Sequence, residues 1–389
     1  MKNIQSFIKS QILSKSKIQF DLWDDVVKLF EEGKFMESLL CLFDYIDKDL
    51  SGGFGNPEKT EFNVPHGSVV VNIKVTDALV DIQVPFLRLP EKNAIPILRR
   101  VAEINFSPLN LATIVLDGNE LSFRYTTPLH LCEPWKMYYV LREICINADN
   151  FDDEFILKFG AYRVREPKVI HLPDAKKEEI WKSFEFLLNE TKQYVDFFEN
   201  KRMDGFVWDA ILQLFFTVDY YIAPQGAMRT EMEGIVGYMQ NNNYSLHEKN
   251  EKGKTYFKKL QQITRDELFS NLYLSEVFIP VKNAATLDNV RNTFKNQFET
   301  AQKEMANSDF MGAALSIRYV FLYEFYYSYA PDDVVEIITA SLEKSSGKPW
   351  DEAARILWQA IDQIMTGNNS QQANPVSGSD SGDAIARNV

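Results

Sequence analysis

The chain has 389 residues, enough for two or three domains of ordinary size. Hydrophobic residues make up 45% of it and aromatic residues 13%, which excludes a wholly disordered chain because so many large apolar groups form a core. The net charge of -13 argues against a nucleic-acid-binding protein, since phosphate contacts need a surplus of Lys and Arg on one face. Residues 249–259 are the best candidate for a hidden basic patch, but a solvated linker and helix start is the favoured interpretation.

The first twenty residues carry lysines but no apolar run, so they do not form a signal peptide. Their apolar residues recur every three or four positions and predict a short amphipathic helix. These residues are Ile4, Phe7, Ile8 and Ile12. Nowhere in the chain does a window approach the roughly 18 consecutive apolar residues that a membrane-spanning helix needs.

Strand patterns dominate the region that follows two short helices and the Gly- and Pro-rich loop at residues 51–57. Apolar and polar residues alternate with a period of two, and this predicts strands that have one buried face. The predicted strands are 60–64, 69–75, 80–84, 111–116 and 121–125. Gly118 supplies the positive φ of a tight hairpin between the last two strands. Helices are predicted at 35–46, at 93–106 and from Pro134, where Trp135 and Tyr138 begin an apolar stripe.

The predicted order from residue 35 is therefore α-β-β-β-α-β-β-α, an antiparallel sheet with helices on one face. After Asp149 strand patterns disappear, apart from an ambiguous piece at 162–171. Helices are then predicted at 178–198, 205–221, 229–239, 265–277, 287–305, 310–327, 332–342 and 350–365. The Asn-rich stretch at 241–243 and the charged run after it predict a linker.

The fold class is thus α+β, with an N-terminal antiparallel sheet module followed by an all-helical region. The chain is divided into N-terminal helices (1–34), the α+β module (35–160), a helical extension (161–240), a C-terminal helical domain (241–366) and a disordered tail (367–389).

No pattern of catalytic or metal-binding residues is found in the sequence. His130 and Cys132 are close in sequence, but no second pair completes a zinc site. The motifs GxGxxG, GxxxxGK[ST] and GxSxG are absent. The acidic run at 149–154 lacks the spacing of a calcium loop, so a solvated helix-capping segment is favoured over a cation site. We therefore predict a protein that is not an enzyme and that needs no cofactor or metal.

The three cysteines lie in apolar surroundings. They are Cys41, Cys132 and Cys145. Buried unpaired cysteines are typical of proteins in reducing compartments, and these three predict reduced core residues in a cytoplasmic protein.

Two aromatic stretches supply the candidate partner-binding residues. Residues 319–329 are aromatic nearly all round a helix, and residues 215–221 have the same character. Burial between neighbouring helices is the favoured interpretation; a partner-binding surface is the alternative, because Tyr and Phe make good anchors. The candidate partner-binding residues are Tyr319, Tyr323, Tyr326, Tyr327, Phe215 and Tyr220.

Residues from about 35 to 155 resemble the type III secretion chaperone-like fold, including the related bacterial families described as sensory-transduction regulators. The element order is similar, and so are three local stretches. These are a helix ending in Glu103-Ile104-Asn105-Phe106, the turn Asp117-Gly118, and a last helix running into Ala148-Asp149-Asn150-Phe151-Asp152. The resemblance covers about a third of the chain. It implies a non-enzymatic protein-binding module of a kind that typically dimerises and holds an extended client segment along hydrophobic grooves on the sheet and helices.

Three hypotheses for function follow. The first is a cytoplasmic chaperone-like or adaptor protein that binds a protein partner or client, including a second copy of itself, and neither binds nucleic acid nor inserts into a membrane. The second is a structural subunit of a larger bacterial assembly, with the aromatic helices buried between subunits. The third is an enzyme with a site built from scattered Asp, Glu and Tyr, which a polar pocket with convergent carboxylates would favour.

Overall fold

An antiparallel sheet forms the centre of the first half of the chain in the computed structural model, which describes residues 2–10, 12, 15–48, 50–92 and 94–367. Its strands are β1 (Glu61–His66), β2 (Val69–Val75), β3 (Leu79–Arg88), β4 (Thr113–Asp117), β5 (Glu120–Pro128) and β6 (Tyr162–Arg163). They lie in the order β1-β2-β3-β5-β4, and β6 pairs with the end of β3. The predicted succession of helices and strands is confirmed.

Helices cover one face of this sheet. They are α1 (Trp23–Glu31), α2 (Phe35–Ile46), α3 (Leu50–Gly53), α4 (Ala94–Phe106) and α5 (Pro134–Phe159). The residues predicted to form a loop at 51–53 belong to the short helix α3. Phe43 and Phe155 are fully buried between helices and strands, where the ring of Phe43 meets Phe62 of the sheet. The ring of Phe155 meets Phe86. Burial of these rings adds to the apolar stabilisation of the module.

The other face of the sheet is polar and faces solvent. Its side chains on β2, β3 and β5 lie in two cross-strand rows. One row contains Asn72, Gln83 and Arg124, and the other contains Lys74, Asp81 and Thr126. They are exposed or half-exposed, and the Thr126 hydroxyl donates a hydrogen bond of 2.6 Å to Asp81. This face is therefore not the apolar groove that the chaperone resemblance implies.

The rest of the described chain is mostly helical. Its helices are α6 (Asp174–Asn200), α7 (Asp204–Ile222), α8 (Gly226–Gln240), α9 (Leu246–Gln262), α10 (Arg265–Ser270), α11 (Leu287–Ala306), α12 (Phe310–Tyr327), α13 (Asp332–Ser345) and α14 (Trp350–Thr366). Helices α7 and α12 lie at the centre of a second core and are buried on most sides. None of the helices in the described ranges is long and apolar enough to cross a bilayer.

Four very short strands interrupt this helical region. They are β7 (Val169–His171), β8 (Tyr273–Ser275), β9 (Asn283–Ala284) and β10 (Ser328–Tyr329). Strand β7 pairs with β8, and β9 pairs with β10. The ambiguous piece at 162–171 thus contributes two strands, and the helix predicted over 265–277 ends at Ser270 because the chain turns there into an extended conformation.

The amphipathic helix predicted near the start of the chain does not form over residues 2–10. These residues run extended across the helical region. The N–H of Ile4 donates to the carbonyl of Lys348, and Asn3 forms a β-bridge with Pro349. Ile4 and Phe7 are buried in the helical core. Hydrogen bonds to distant residues thus replace those of a local helix, which a local periodicity cannot anticipate.

The buried guanidinium of Arg318, on α12, holds the same segment. It donates to the side chain of Gln5 at 3.1 Å and to that of Gln213 at 2.7 Å. Burial lowers the pKa of Arg318 to about 10, because an apolar core disfavours the charged form. This buried arginine links residues 2–8 to the centre of the helical core.

The charged run after residue 243 forms helix α9 rather than a linker. Ser245 and Glu248 make a capping box that starts the helix by satisfying each other's backbone N–H groups. Tyr256 and Phe257 are buried against the helical core, so the lysines of the run occupy the opposite face. Residues on both sides of position 240 share one core. The predicted disordered tail, beyond Gly367, lies outside the described residues.

A segment that we call the linking segment (residues 271–285) connects the helical region to the sheet module. Phe278 and Ile279 leave the helical region and are buried in the core of the sheet module. Gly67 donates its N–H to the carbonyl of Glu276 at 2.8 Å, and Arg142 on α5 donates to the carbonyl of Val281 at 2.6 Å. The two cores are joined by apolar burial as well as by polar contacts.

Candidate functional site

The structure places the six candidate partner-binding residues in different surroundings. Phe215 is fully buried and Tyr326 is 8% exposed, so both lie in the helical core, as the favoured interpretation expects. Tyr220 is half-buried and stacks on Phe325, with ring centroids 4.6 Å apart. The remaining residues, Tyr319, Tyr323 and Tyr327, form a half-buried row along α12.

An aromatic cluster on the surface of the sheet module was not singled out from the sequence. We define it as Trp23, Tyr45, Trp135, Tyr138 and Tyr139, from α1, α2 and α5. The ring centroids of Trp23 and Trp135 are 4.0 Å apart, and Trp135 stacks on Tyr139 at 6.1 Å. Trp135 is 47% exposed and Tyr139 is 53% exposed. The cluster therefore presents two large ring surfaces to solvent.

The local sequence explains why this cluster is well ordered. The Glu133 side chain caps α5 by accepting the N–H groups of Trp135 and Lys136, and Pro134 occupies the first helical position. Burial raises the pKa of Tyr45 to about 12, which reflects the apolar packing beneath the exposed rings. The sequence places Trp135 on an apolar stripe with Tyr138, three residues later, yet Trp135 lies at the exposed rim of that stripe.

A second exposed apolar surface lies on α4. Ile95, Leu98 and Phe106 fall on one side of the helix, and Phe106 is 90% exposed. The neighbouring strand β4 is an edge of the sheet. The Asn105 side chain accepts the N–H of Ile114 at 2.7 Å and donates to its carbonyl at 2.9 Å. Because these outward-facing groups are satisfied, the edge is blocked at this point to a strand from another protein.

A cleft of about 430 Å³ with apolar and charged lining residues lies where the sheet module meets the helical region. Nδ1 of the buried His66 accepts the N–H of Phe278 at 3.1 Å, and its Nε2 lies 3.1 Å from Oδ2 of Asp149. Burial alone would raise the pKa of Asp149, but His66 and Arg229 lower it below its usual value. Across the cleft, the Lys282 ammonium is 2.8 Å from Asp219.

Beside this cleft, Asp152 is buried on the sheet-module side of the contact between the sheet module and the helical region, which we call the junction. The Ser68 hydroxyl donates to it at 2.8 Å, and Arg163 bridges it and Asp153. Burial and the neighbouring Asp153 raise the pKa of Asp152 to about 6. The acidic run was expected to be a solvated capping segment. That interpretation is wrong, because the run lies inside α5 and faces the helical region.

The carboxylates of the junction therefore converge, as the enzyme hypothesis requires, but they pair with protein cations, hydroxyls and His66. The pair Lys282–Asp219 joins the linking segment to α7. The other pairs lie within the sheet module. Within the described ranges, no group of three or more His, Cys, Asp or Glu residues is arranged to hold a metal ion. His130 is exposed, whereas Cys132 is buried, and burial raises the pKa of the Cys132 thiol to about 11.

Comparison with known proteins gives no assignment: no family model matches the chain, and no curated protein matches it significantly. The exposed aromatic cluster and the α4 surface are therefore the features on which a functional proposal has to be based.

Proposed function

We propose that this is a non-enzymatic, cytoplasmic protein-binding protein, chaperone-like or adaptor in type, that binds its partner through the aromatic cluster. The observation that carries the proposal is the exposure of Trp135 and Tyr139 on one capped helix. Trp and Tyr are the residues most enriched among interface anchors, because a rigid ring buries a large area and loses little conformational entropy. The resemblance of residues 35–155 to secretion chaperones supports the same function.

The surroundings of the aromatic cluster favour binding of the partner to the surface of helices α1 and α5 rather than pairing of a partner strand with the edge of the sheet. The outer face of the sheet carries polar rows, and Asn105 satisfies backbone groups of the edge strand β4. Trp135 and Tyr139 are four residues apart on α5, so both rings lie on one side of that helix. A partner segment would thus contact rings from α1 and α5 together.

Charge indicates the kind of segment that fits. Asp24 and Asp25 follow Trp23 directly, are exposed, and have no ion pair within the described ranges. A cation near an aromatic face gains energy from the ring quadrupole, and carboxylates at the rim add to it. We therefore expect the bound segment to carry Arg or Lys beside an apolar residue.

Co-purification tests the proposal. The tagged full chain is compared with the double variant Trp135→Ala/Tyr139→Ala in native lysate, followed by calorimetry with the protein identified. Anchor residues contribute about 2 kcal/mol or more, so we expect at least a roughly 30-fold loss of affinity in the double variant. Light scattering distinguishes a different protein from a second copy of the chain.

The matched control is Phe186→Ala/Tyr162→Ala, which removes two rings that are 49% and 62% exposed elsewhere on the surface. Circular dichroism confirms that all the variants are folded. Equal affinity of the Trp135→Ala/Tyr139→Ala variant and the wild-type protein for the captured partner would show that the aromatic cluster is not the binding surface.

A further inference from the structure

A row of aromatic rings lines a groove on the helical region, away from the aromatic cluster. Tyr319, Tyr323 and Tyr327 are spaced four residues apart along α12, and Trp208 on α7 extends the row. Successive ring centroids are 5.8 Å apart from Trp208 to Tyr319, 5.9 Å to Tyr323 and 4.5 Å to Tyr327. The groove has a volume of about 620 Å³, and Trp208, Tyr319 and Tyr323 form its aromatic wall.

Amide side chains also line the groove. Asn242 follows α8, and Asn296 and Gln297 lie on α11. Within the described ranges, these three side-chain amides have no hydrogen-bond partner, in contrast to Gln240, which bonds Tyr319 and Tyr327 at the base of the groove. Each free amide offers both a donor and an acceptor. Lys249 is the charged residue among the lining side chains.

This combination determines the chemistry of a ligand. Flat rings contact the C–H faces of a ligand, and amides exchange hydrogen bonds with hydroxyl groups, which are both donors and acceptors. A phosphorylated ligand would require more positive charge than Lys249 supplies in a protein of net charge -13. We propose that the groove binds a neutral polyhydroxylated ligand, an oligosaccharide, whose sugar faces stack on the half-buried rings that line the groove.

Saturation-transfer NMR on the full chain tests this site. The probes are maltohexaose, cellohexaose, xylohexaose and chitohexaose, with adenosine monophosphate as the anionic aromatic comparator. We expect saturation transfer to at least one oligosaccharide. The double variant Asn296→Ala/Gln297→Ala keeps the helix-forming tendency of α11, and we expect it to weaken binding about tenfold or more, because two hydrogen-bonding side chains are lost.

The control variant is Gln261→Ala/Gln262→Ala, which removes two exposed amides from the end of α9, away from the groove. The control is expected to bind like the wild-type protein. Tyr323→Leu, which keeps apolar volume but removes the ring, should also weaken binding. The proposal is overturned if none of the four oligosaccharides binds, if Asn296→Ala/Gln297→Ala binds them as the wild type does, or if adenosine monophosphate alone binds in the groove.

Discussion

Replacing Phe278 by Ala should uncouple the sheet module from the helical region. Phe278 is 2% exposed and lies in the core of the sheet module, although it belongs to the linking segment. A buried aromatic ring removes about 150–250 Å² from water, and the cavity left behind adds to the lost transfer energy. We therefore expect Phe278→Ala to lower the free energy of unfolding by about 3–5 kcal/mol.

The location of the loss is as informative as its size. Urea unfolding gives the free energy, and hydrogen exchange with mass spectrometry shows where protection falls. Protection should drop around His66, whose Nδ1 accepts the N–H of Phe278, and in the sheet before it drops in α11 to α14. The control is Val277→Ala, since Val277 is 38% exposed. If Phe278→Ala costs no more than about 1 kcal/mol, as we expect of Val277→Ala, the segment does not couple the two cores.

Two further variants test the junction and the sheet edge. The folded-state pKa of Asp152, about 6, lies above the usual 3.8, so its contribution to stability is present at acid pH and lost as the pH rises through about 6. In urea unfolding, the free energy of unfolding of Asp152→Asn relative to the wild type should therefore rise by about 1.4 kcal/mol from about pH 5 to about pH 7.5. A difference that does not change with pH would refute this. Asn105→Ala removes two hydrogen bonds to Ile114, so we expect a loss of about 2 kcal/mol and increased association in light scattering, whereas Glu103→Ala should change neither.

Local periodicity was sufficient to predict most of the regular structure. Helix α12 begins and ends at the predicted residues 310 and 327, and strand β2 covers the predicted 69–75. Strand β2 alternates buried and less buried residues, and α12 is a long apolar run buried on most sides, so both sequences carry a strong signal. Residues 2–10 and the linking segment could not be predicted in the same way. Their hydrogen bonds go to residues far away in the sequence, and such pairing leaves no periodic pattern.

The surfaces were harder to predict than the fold. The sequence favours burial for the aromatic residues of α12, but which of them stay half-exposed depends on the helices that pack on them. The cluster around Trp135 combines α1, α2 and α5, so its exposure depends on how three helices meet. The acidic run at 149–154 was misjudged for the same reason, because its partners Ser68, Arg163 and His66 come from other elements.

The path of residues 2–8 has a consequence for biosynthesis. These residues leave the ribosome long before residue 347 does, yet Asn3 donates a hydrogen bond to the carbonyl of Gly347, 344 residues later in the chain. Closing so long a loop is entropically costly and slow. Ile4 and Phe7 therefore remain exposed to solvent while the sheet module folds. The helical core is completed only when α14 has been translated. Residues 2–8 are thus made long before α14 but reach their native position only after it.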